Sequence, residues 1–115
     1  MKYFLNEDER KKTNSTCYHE FAKGEWDEDA CVFWKNDSLN IHDDLLISLK
    51  LDALLTSMID DYDPVGVTKI SKEQWEKIYA KAEEIGGDLF EAVNEITPWV
   101  EDNFRENEVF TILGL

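Results

Sequence analysis

Apolar and polar positions follow one spacing in the first third of this chain and another spacing in the rest. In the first third, short apolar or aromatic runs bounded by polar residues are typical of strands. The predicted strands are 2–5, 17–21, 30–34 and 39–41. The polar stretch 7–16 predicts a mobile connection, so this part of the chain is expected to supply most of a sheet.

From residue 43 onward, apolar residues recur every three or four positions, which predicts helices. The segment 43–59 is apolar on almost every side and predicts a buried helix, capped by Asp43 or Asp44 and divided near Lys50. The stretch 60–66 contains Pro and Gly among acidic residues and predicts a loop.

Two capping signals predict where the later helices begin. Ser71 is followed three residues later by Gln74, the arrangement of a capping box. The double glycine Gly86–Gly87 predicts the end of that helix. Asp88 and Glu91 repeat the box and predict the start of the next helix.

The carboxy-terminal part predicts one more helix and a last strand. Pro98 predicts either a kink or a restart with Thr97 as the cap, and 109–113 predicts a strand. Strands followed by helices and a final strand favour an α+β fold. We therefore expect a single domain over 1–115, with a small, mostly antiparallel sheet packed against three to four helices.

The charge balance narrows the classes of partner. The chain carries 26 acidic and 12 basic residues, a net charge of -14. Such a field repels nucleic acid and anionic membranes and attracts basic proteins. The aromatic content of 12% provides for a core that a disordered acidic tail would lack. No run resembles a signal peptide or a membrane helix, so a cytoplasmic location is expected.

One alternative function depends on zinc. Cys17, His19, Cys31 and His42 are ligand types for Zn²⁺, and a hairpin turning at Gly24 would place the two cysteines opposite each other. Their spacing does not match a structural zinc site. A small zinc enzyme or regulator that uses Cys17, His19 and Cys31 stays an alternative, as does a disulfide between the cysteines.

Other chemistry finds less support. Asp61, Asp63 and Gly66 fit part of a calcium-binding loop, but Val65 and Lys72 occupy positions that require oxygen ligands. No sequence motif of a hydrolase, a metalloprotease or a nucleotide-binding enzyme occurs. We expect no catalytic residues, no metal and no cofactor.

Two acidic segments each place an aromatic residue among carboxylates on a predicted loop. Aromatic side chains can bury apolar area at an interface, and acids around them can speed the encounter with a basic partner. The competing interpretation is that both aromatic side chains lie in the core and the acids only increase solubility. The predicted partner-binding residues are Trp26, Asp27, Glu28, Asp29, Asp60, Asp61, Tyr62 and Asp63.

Three stretches, 64–75, Pro98–Trp99 and 110–114, resemble the bacterial immunity proteins of polymorphic or contact-dependent toxin systems. The resemblance implies a protein that binds and neutralises a cognate toxin domain without catalysis. Many such toxins are basic nucleases, which agrees with the acidic charge. A homo-oligomeric scaffold is a further alternative, in which the last strand pairs across a two-fold axis of a homodimer.

Overall fold

Four antiparallel strands form the sheet in a computed structural model, which describes residues 1–115. The strands are β1 (Tyr18–Lys23), β2 (Leu39–His42), β3 (Val67–Ser71) and β4 (Val109–Leu113). Their order across the sheet is β2-β1-β4-β3. The last strand therefore lies between two others, and a homodimer cannot form by pairing along β4 because both of its edges are already used.

Six helices pack with this sheet, more than the three to four expected. They are α1 (Glu7–Lys12), α2 (Asp43–Ser48), α3 (Leu51–Met58), α4 (Lys72–Ile85), α5 (Gly87–Glu95) and α6 (Thr97–Glu106). The α+β prediction with an antiparallel sheet is confirmed. None of the helices combines the length and the apolar character needed to cross a membrane.

The predicted break in the segment 43–59 is confirmed. Lys50 adopts a left-handed backbone with φ of +63° and separates α2 from α3. The predicted cap was wrong, because the Nδ1 atom of His42 accepts the Asp44 amide at 3.1 Å. The expected burial of this segment is confirmed in part: most of its apolar residues are buried, but Ile47 is 52% exposed.

Of the helix starts predicted further along the chain, the one at Ser71 is confirmed and the other two differ in detail. Ser71 and Gln74 form the complete capping box of α4. Asp88 does not cap α5, which starts at Gly87 because Gly86 ends the preceding helix and leaves no room for a second cap. Pro98 does mark a restart, but Thr97 is the first residue of α6 and not its cap.

The amino-terminal prediction contains three errors. Residues 2–5 form no strand, and only Leu5 makes an isolated bridge to β2. The stretch 7–16 contains α1, since Asn6 and Glu9 provide a capping box that the sequence reading overlooked. The run 30–34 forms turns and bends and no strand.

The core lies between the helices and the inner face of the sheet, the face that carries Phe21, Phe110 and Ile112. It is a single cluster of 22 buried apolar side chains. Phe110 is central, with its ring 5.9 Å from that of Phe21, 5.9 Å from that of Trp75 and 5.6 Å from that of Trp99. Such aromatic pairs stabilise a core beyond their buried area.

Candidate interaction surface

Side chains that alternate with the core-facing ones lie on the opposite, outer face of the sheet. The connection from β1 to β2 covers part of this outer face. We call this connection, residues 24–38, the outer loop. It begins at Gly24, whose φ of +71° favours glycine. The Gly24 amide donates to the Asn103 side chain at 2.9 Å, and its carbonyl accepts from the Thr111 hydroxyl at 2.8 Å.

A buried carboxylate holds the far end of the outer loop against the sheet. Glu20 lies on β1, on the outer face, and is 2% exposed. It accepts hydrogen bonds from the Trp34 amide at 2.8 Å, the Lys35 amide at 3.0 Å and the Ser38 hydroxyl at 2.6 Å. Charge-assisted hydrogen bonds of this kind are about twice as strong as neutral ones.

A buried arginine supports the same end of the loop. Arg10, on α1, forms two hydrogen bonds with the Glu7 carboxylate at 2.6 and 2.8 Å and donates to the Ser15 carbonyl at 2.8 Å. The hydrogen bond with Glu7 raises the pKa of Arg10, an effect that burial opposes. Its guanidinium lies 3.9 Å from the Trp34 ring centroid. Together with Glu20, it holds Trp34 at a φ of +60°.

The outer loop presents two aromatic side chains at the surface. The indole nitrogen of Trp26 donates to the Val32 carbonyl at 2.7 Å, and its ring lies 5.2 Å from that of Phe33. Phe33 is 51% exposed and Val32 is 47% exposed. Trp26 is half-buried against the loop itself and lies outside the core cluster.

A groove of about 630 Å³ separates this loop from the edge strand β3. Its lining comprises Glu25, Trp26, Asp27, Glu28, Val67 and Lys69. One ion pair crosses it, between Lys69 and Glu25 at 3.3 Å, and both side chains are exposed. The predicted residues Trp26, Asp27 and Glu28 are thus brought together.

Three consecutive carboxylates of the outer loop, at positions 27–29, are not neutralised by neighbouring cations. Asp27, Glu28 and Asp29 are exposed and none forms an ion pair with Lys or Arg. The only hydrogen bond among them joins the Asp29 amide to the Asp27 carboxylate at 2.9 Å. This part of the surface therefore carries uncompensated negative charge beside exposed apolar area.

The second acidic segment, 60–63, is built differently. Asp60, Asp61 and Asp63 are exposed and also lack ion pairs with Lys or Arg. Tyr62, however, packs against the core, and its buried hydroxyl has no hydrogen-bond partner. The pKa of Tyr62 is raised to about 12. Burial is the largest cause, and the nearby carboxylates of Asp52, Asp43 and Asp63 act in the same direction. This packing agrees with the competing interpretation for Tyr62, that its ring lies in the core, and the partner-binding role of Tyr62 stays a prediction.

Asp63 also has a local structural role. Its carboxylate accepts the Val65 amide at 3.0 Å, and its own amide donates to the Thr68 hydroxyl at 2.9 Å. These bonds shape the turn that leads into β3. No hydrogen bond or ion pair joins the segment 60–63 to the outer loop, and the segment does not line the groove.

The four proposed zinc ligands do not converge. Cys17 and Cys31 are exposed free thiols, and the predicted hairpin between them is wrong because β1 pairs with β2. His19 is buried, with its Nε2 atom 2.7 Å from the Asp43 carboxylate, while His42 caps α2. No group of three or more His, Cys, Asp or Glu residues is arranged to hold a metal ion. The zinc alternative therefore has no geometric support.

A second groove, of about 610 Å³, lies between α4 and α6 on the helical side. Trp75, Tyr79 and Phe104 line it together with Lys72 and Arg105, among other residues. Trp75 and Phe104 also pack against Phe110, so these rings serve the core. The groove has charges of both signs at its rim, and no acid–base pair or nucleophile stands out there.

The residues that hold the outer loop in place were not predicted from the sequence. Phe33 was assigned to a strand, and Glu20 and Arg10 had no predicted role. A sequence signal existed for Glu20 alone, because a carboxylate inside an apolar strand needs buried partners.

In comparisons with known proteins, no family model, no curated protein and no solved structure matches this chain.

Proposed function

We propose that this protein is a non-enzymatic, acidic protein-binding domain, and that it acts as an immunity protein that neutralises a basic toxin domain. One observation carries the proposal. A half-buried Trp26 and an exposed Phe33 are paired among uncompensated carboxylates, on a loop that buried charges hold in place. Aromatic residues surrounded by charge on a preorganised loop are features of protein interfaces.

The charge supports a cationic partner. With a net charge of -14, the protein attracts a basic protein over long distances and directs it to uncompensated carboxylates. Steered association of this kind can reach about 10⁸ M⁻¹s⁻¹ at low salt and slows steeply as salt screens the field. An inhibitor needs such speed because the toxin must be bound before it acts.

The outer loop is the better binding surface of the two acidic segments. It combines negative charge with the exposed area of Phe33 and Val32, whereas the aromatic ring of the segment 60–63 packs against the core. Carboxylates alone contribute mainly to encounter, while desolvated aromatic contacts slow dissociation. We therefore assign binding to the outer loop, with Asp60, Asp61 and Asp63 contributing to the field.

The test begins with the reading frame directly upstream of this one, which the proposal expects to encode a protein with a basic carboxy-terminal domain; absence of such a domain would count against the proposed function. Co-expression with this protein should restore growth of cells that produce that domain, and the two products should co-purify. In surface plasmon resonance, the triple change Asp27→Lys, Glu28→Lys and Asp29→Lys should lower the association rate by about 10- to 100-fold.

The matched control changes Glu76, Glu83 and Glu101 to lysine, which alters the net charge equally on α4 and α6, at positions that belong neither to the outer loop nor to the lining of its groove. None of these acids has an ion pair with Lys or Arg, and all are exposed. The control should change the rate by at most about threefold. Equal effects of the two triple variants would reject the assignment to the outer loop, and failure to co-purify or to restore growth would reject the proposed function.

A further inference from the structure

The sheet has one covered edge and one open edge. At the β2 edge, Leu5 exchanges two backbone hydrogen bonds with Asn40, each 2.8 Å long, and so occupies part of that strand. At the opposite edge, β3 pairs with β4 on one side only. Its other main packing neighbour among the regular elements is α4, which follows it directly in the chain.

The hydrogen-bond pattern identifies the free backbone groups of β3. The Gly114 amide donates to the Gly66 carbonyl at 2.7 Å, so Gly66 directs its polar groups toward β4. Because this direction alternates along an antiparallel strand, Thr68 and Ile70 also face β4, whereas Val67 and Lys69 face the open edge. The next outward amide, that of Ser71, is already used by the capping box of α4.

The free backbone groups lie beside the acidic groove. The side chains of Val67 and Lys69 point to the outer face and line that groove with Trp26, Asp27 and Glu28. In an antiparallel pair, residues that hydrogen-bond directly across from each other place their side chains on the same face. A strand added at this edge would therefore direct its hydrogen-bonded residues toward the tryptophan and the two carboxylates.

We propose that the partner adds a cationic β-strand to β3, hydrogen-bonding to Val67 and Lys69 and extending basic side chains into the acidic groove. This inference rests on the proposed function and specifies how the basic partner is recognised. The two residues offer four backbone groups, one N–H and one C=O each. Basic side chains on the outer face would contact Asp27 and Glu28 and could lie over the Trp26 ring as cation–π partners.

Charge selects this occupant over a second copy of the chain. Two copies that paired along β3 would bring two bodies of net charge -14 together, and each groove would face further negative charge. Lys69, in the middle of the edge, also discourages self-pairing. Its exposed ion pair with Glu25 is of the weak, surface kind, so a basic side chain from a partner could replace it.

The test uses a fluorescein-labelled octapeptide of alternating lysine and valine as the cationic strand. A second peptide has the same sequence with every backbone nitrogen methylated, so it keeps the charge and loses the hydrogen-bond donors. Binding to the full chain is measured by fluorescence anisotropy at low salt. The unmodified peptide should bind at least tenfold more tightly than the methylated one, and it should slow hydrogen exchange at the amides of Val67 and Lys69.

Two substitutions at one position separate backbone from charge. Lys69→Ala keeps the outward N–H, whereas Lys69→Pro removes it without breaking a bond to β4. We expect Lys69→Ala to bind the peptide at least as well as the wild type and Lys69→Pro to bind at least tenfold more weakly. Circular dichroism checks that both variants are folded. If Lys69→Pro does not fold, the comparison of the two peptides still tests the proposal on the wild-type chain.

Three results would overturn strand addition. These are equal binding of the two peptides, absence of peptide binding at low salt, and concentration-dependent dimerisation in light scattering with protection of the β3 amides in the protein alone. If strand addition failed while the upstream toxin domain still co-purified and still depended on Asp27, Glu28 and Asp29, the proposed function would stand without it.

Discussion

Removing the Glu20 carboxylate should release the outer loop from the sheet. Glu20 accepts three hydrogen bonds, from the Trp34 and Lys35 amides and the Ser38 hydroxyl. Glu20→Ala leaves these three donors without their acceptor and opens a cavity beneath the loop. Glu20→Gln keeps the shape and one acceptor oxygen, but it removes the negative charge that lies near Arg10.

The size of the effect follows from the number of donors and their access to water. A buried donor without a partner costs about 1–3 kcal/mol. Ser38 is fully buried, whereas Trp34 and Lys35 are half-exposed and can partly rehydrate. We therefore expect Glu20→Ala to lower the free energy of unfolding by about 2–4 kcal/mol and Glu20→Gln to lower it by about 1–2 kcal/mol.

Urea unfolding and hydrogen exchange test this expectation together. The amides of Trp34 and Lys35 should exchange at least tenfold faster in both variants, while amides of β4 in Glu20→Gln should change only as global stability requires. Glu83→Ala, at an exposed helix position, is the control and should stay within about 0.5 kcal/mol of wild type. A loss below about 0.5 kcal/mol for Glu20→Ala, with unchanged exchange at Trp34 and Lys35, would refute the supporting role of Glu20.

Two further predictions concern the segment between α3 and β3 and its contact with the carboxy terminus. Tyr62→Phe removes a hydroxyl without a partner and should leave stability at pH 7 unchanged or raise it by about 1 kcal/mol. The folded pKa of Tyr62 is raised to about 12, above the unfolded value of about 10. Wild-type stability should therefore be complete below pH 10 and fall as the pH rises toward 12, by about 1–2 kcal/mol after solvent screening of the half-buried ring. Urea titrations at pH 7 and 11 should show a smaller fall for Tyr62→Phe, and parallel falls would contradict the assignment. Gly114→Ala places a Cβ in steric conflict with the Pro64 carbonyl oxygen and should cost about 1–3 kcal/mol in urea unfolding, whereas an effect no larger than that of Leu115→Ala would be evidence against this close contact.

Local signals predicted the helical half of the fold well. The capping box at Ser71 and Gln74 acts within four residues, so no distant contact is needed to identify it. The strand 109–113 was recognisable because its residues are apolar apart from Thr111, as expected for a central strand. Lys50 interrupts the apolar pattern of 43–59, and the chain turns there.

Contacts distant in sequence determined the parts that were predicted wrongly. The run 30–34 has strand-forming residues, but the bonds of Glu20 and the guanidinium of Arg10 hold Trp34 in a left-handed turn. The strand β3 was not predicted because, at its first two residues, the apolar side chain is the exposed one and the polar side chain is the buried one. Val67 is exposed and Thr68 is buried, so neither residue gives the usual signal.

Only part of the candidate surface was predicted, because the rest of it also depends on contacts distant in sequence. Trp26 and the acids beside it stand out in the sequence because an aromatic residue inside a carboxylate cluster is unusual. The same pattern at Tyr62 did not indicate that its ring packs against the core, because that packing depends on residues distant in sequence. Phe33 joins Trp26 only because the chain turns between them, and a turn of this kind carries no periodic signal.

The buried charges under the outer loop make more sense as positioning groups than as a source of stability. Burying the Glu7–Arg10 pair and Glu20 requires desolvation, and apolar residues of similar volume are often at least as stabilising. What these ions supply is a single loop conformation, because each has a fixed hydrogen-bonding direction that an apolar contact lacks. Replacing Glu7 and Arg10 together by leucine and methionine should therefore keep the protein folded in urea titrations. It should nevertheless raise the exchange rate of the Trp34 amide and weaken binding of the basic partner, mainly by faster dissociation. A double variant that is as stable as wild type and binds with unchanged dissociation would show that the ions under the loop do not position it.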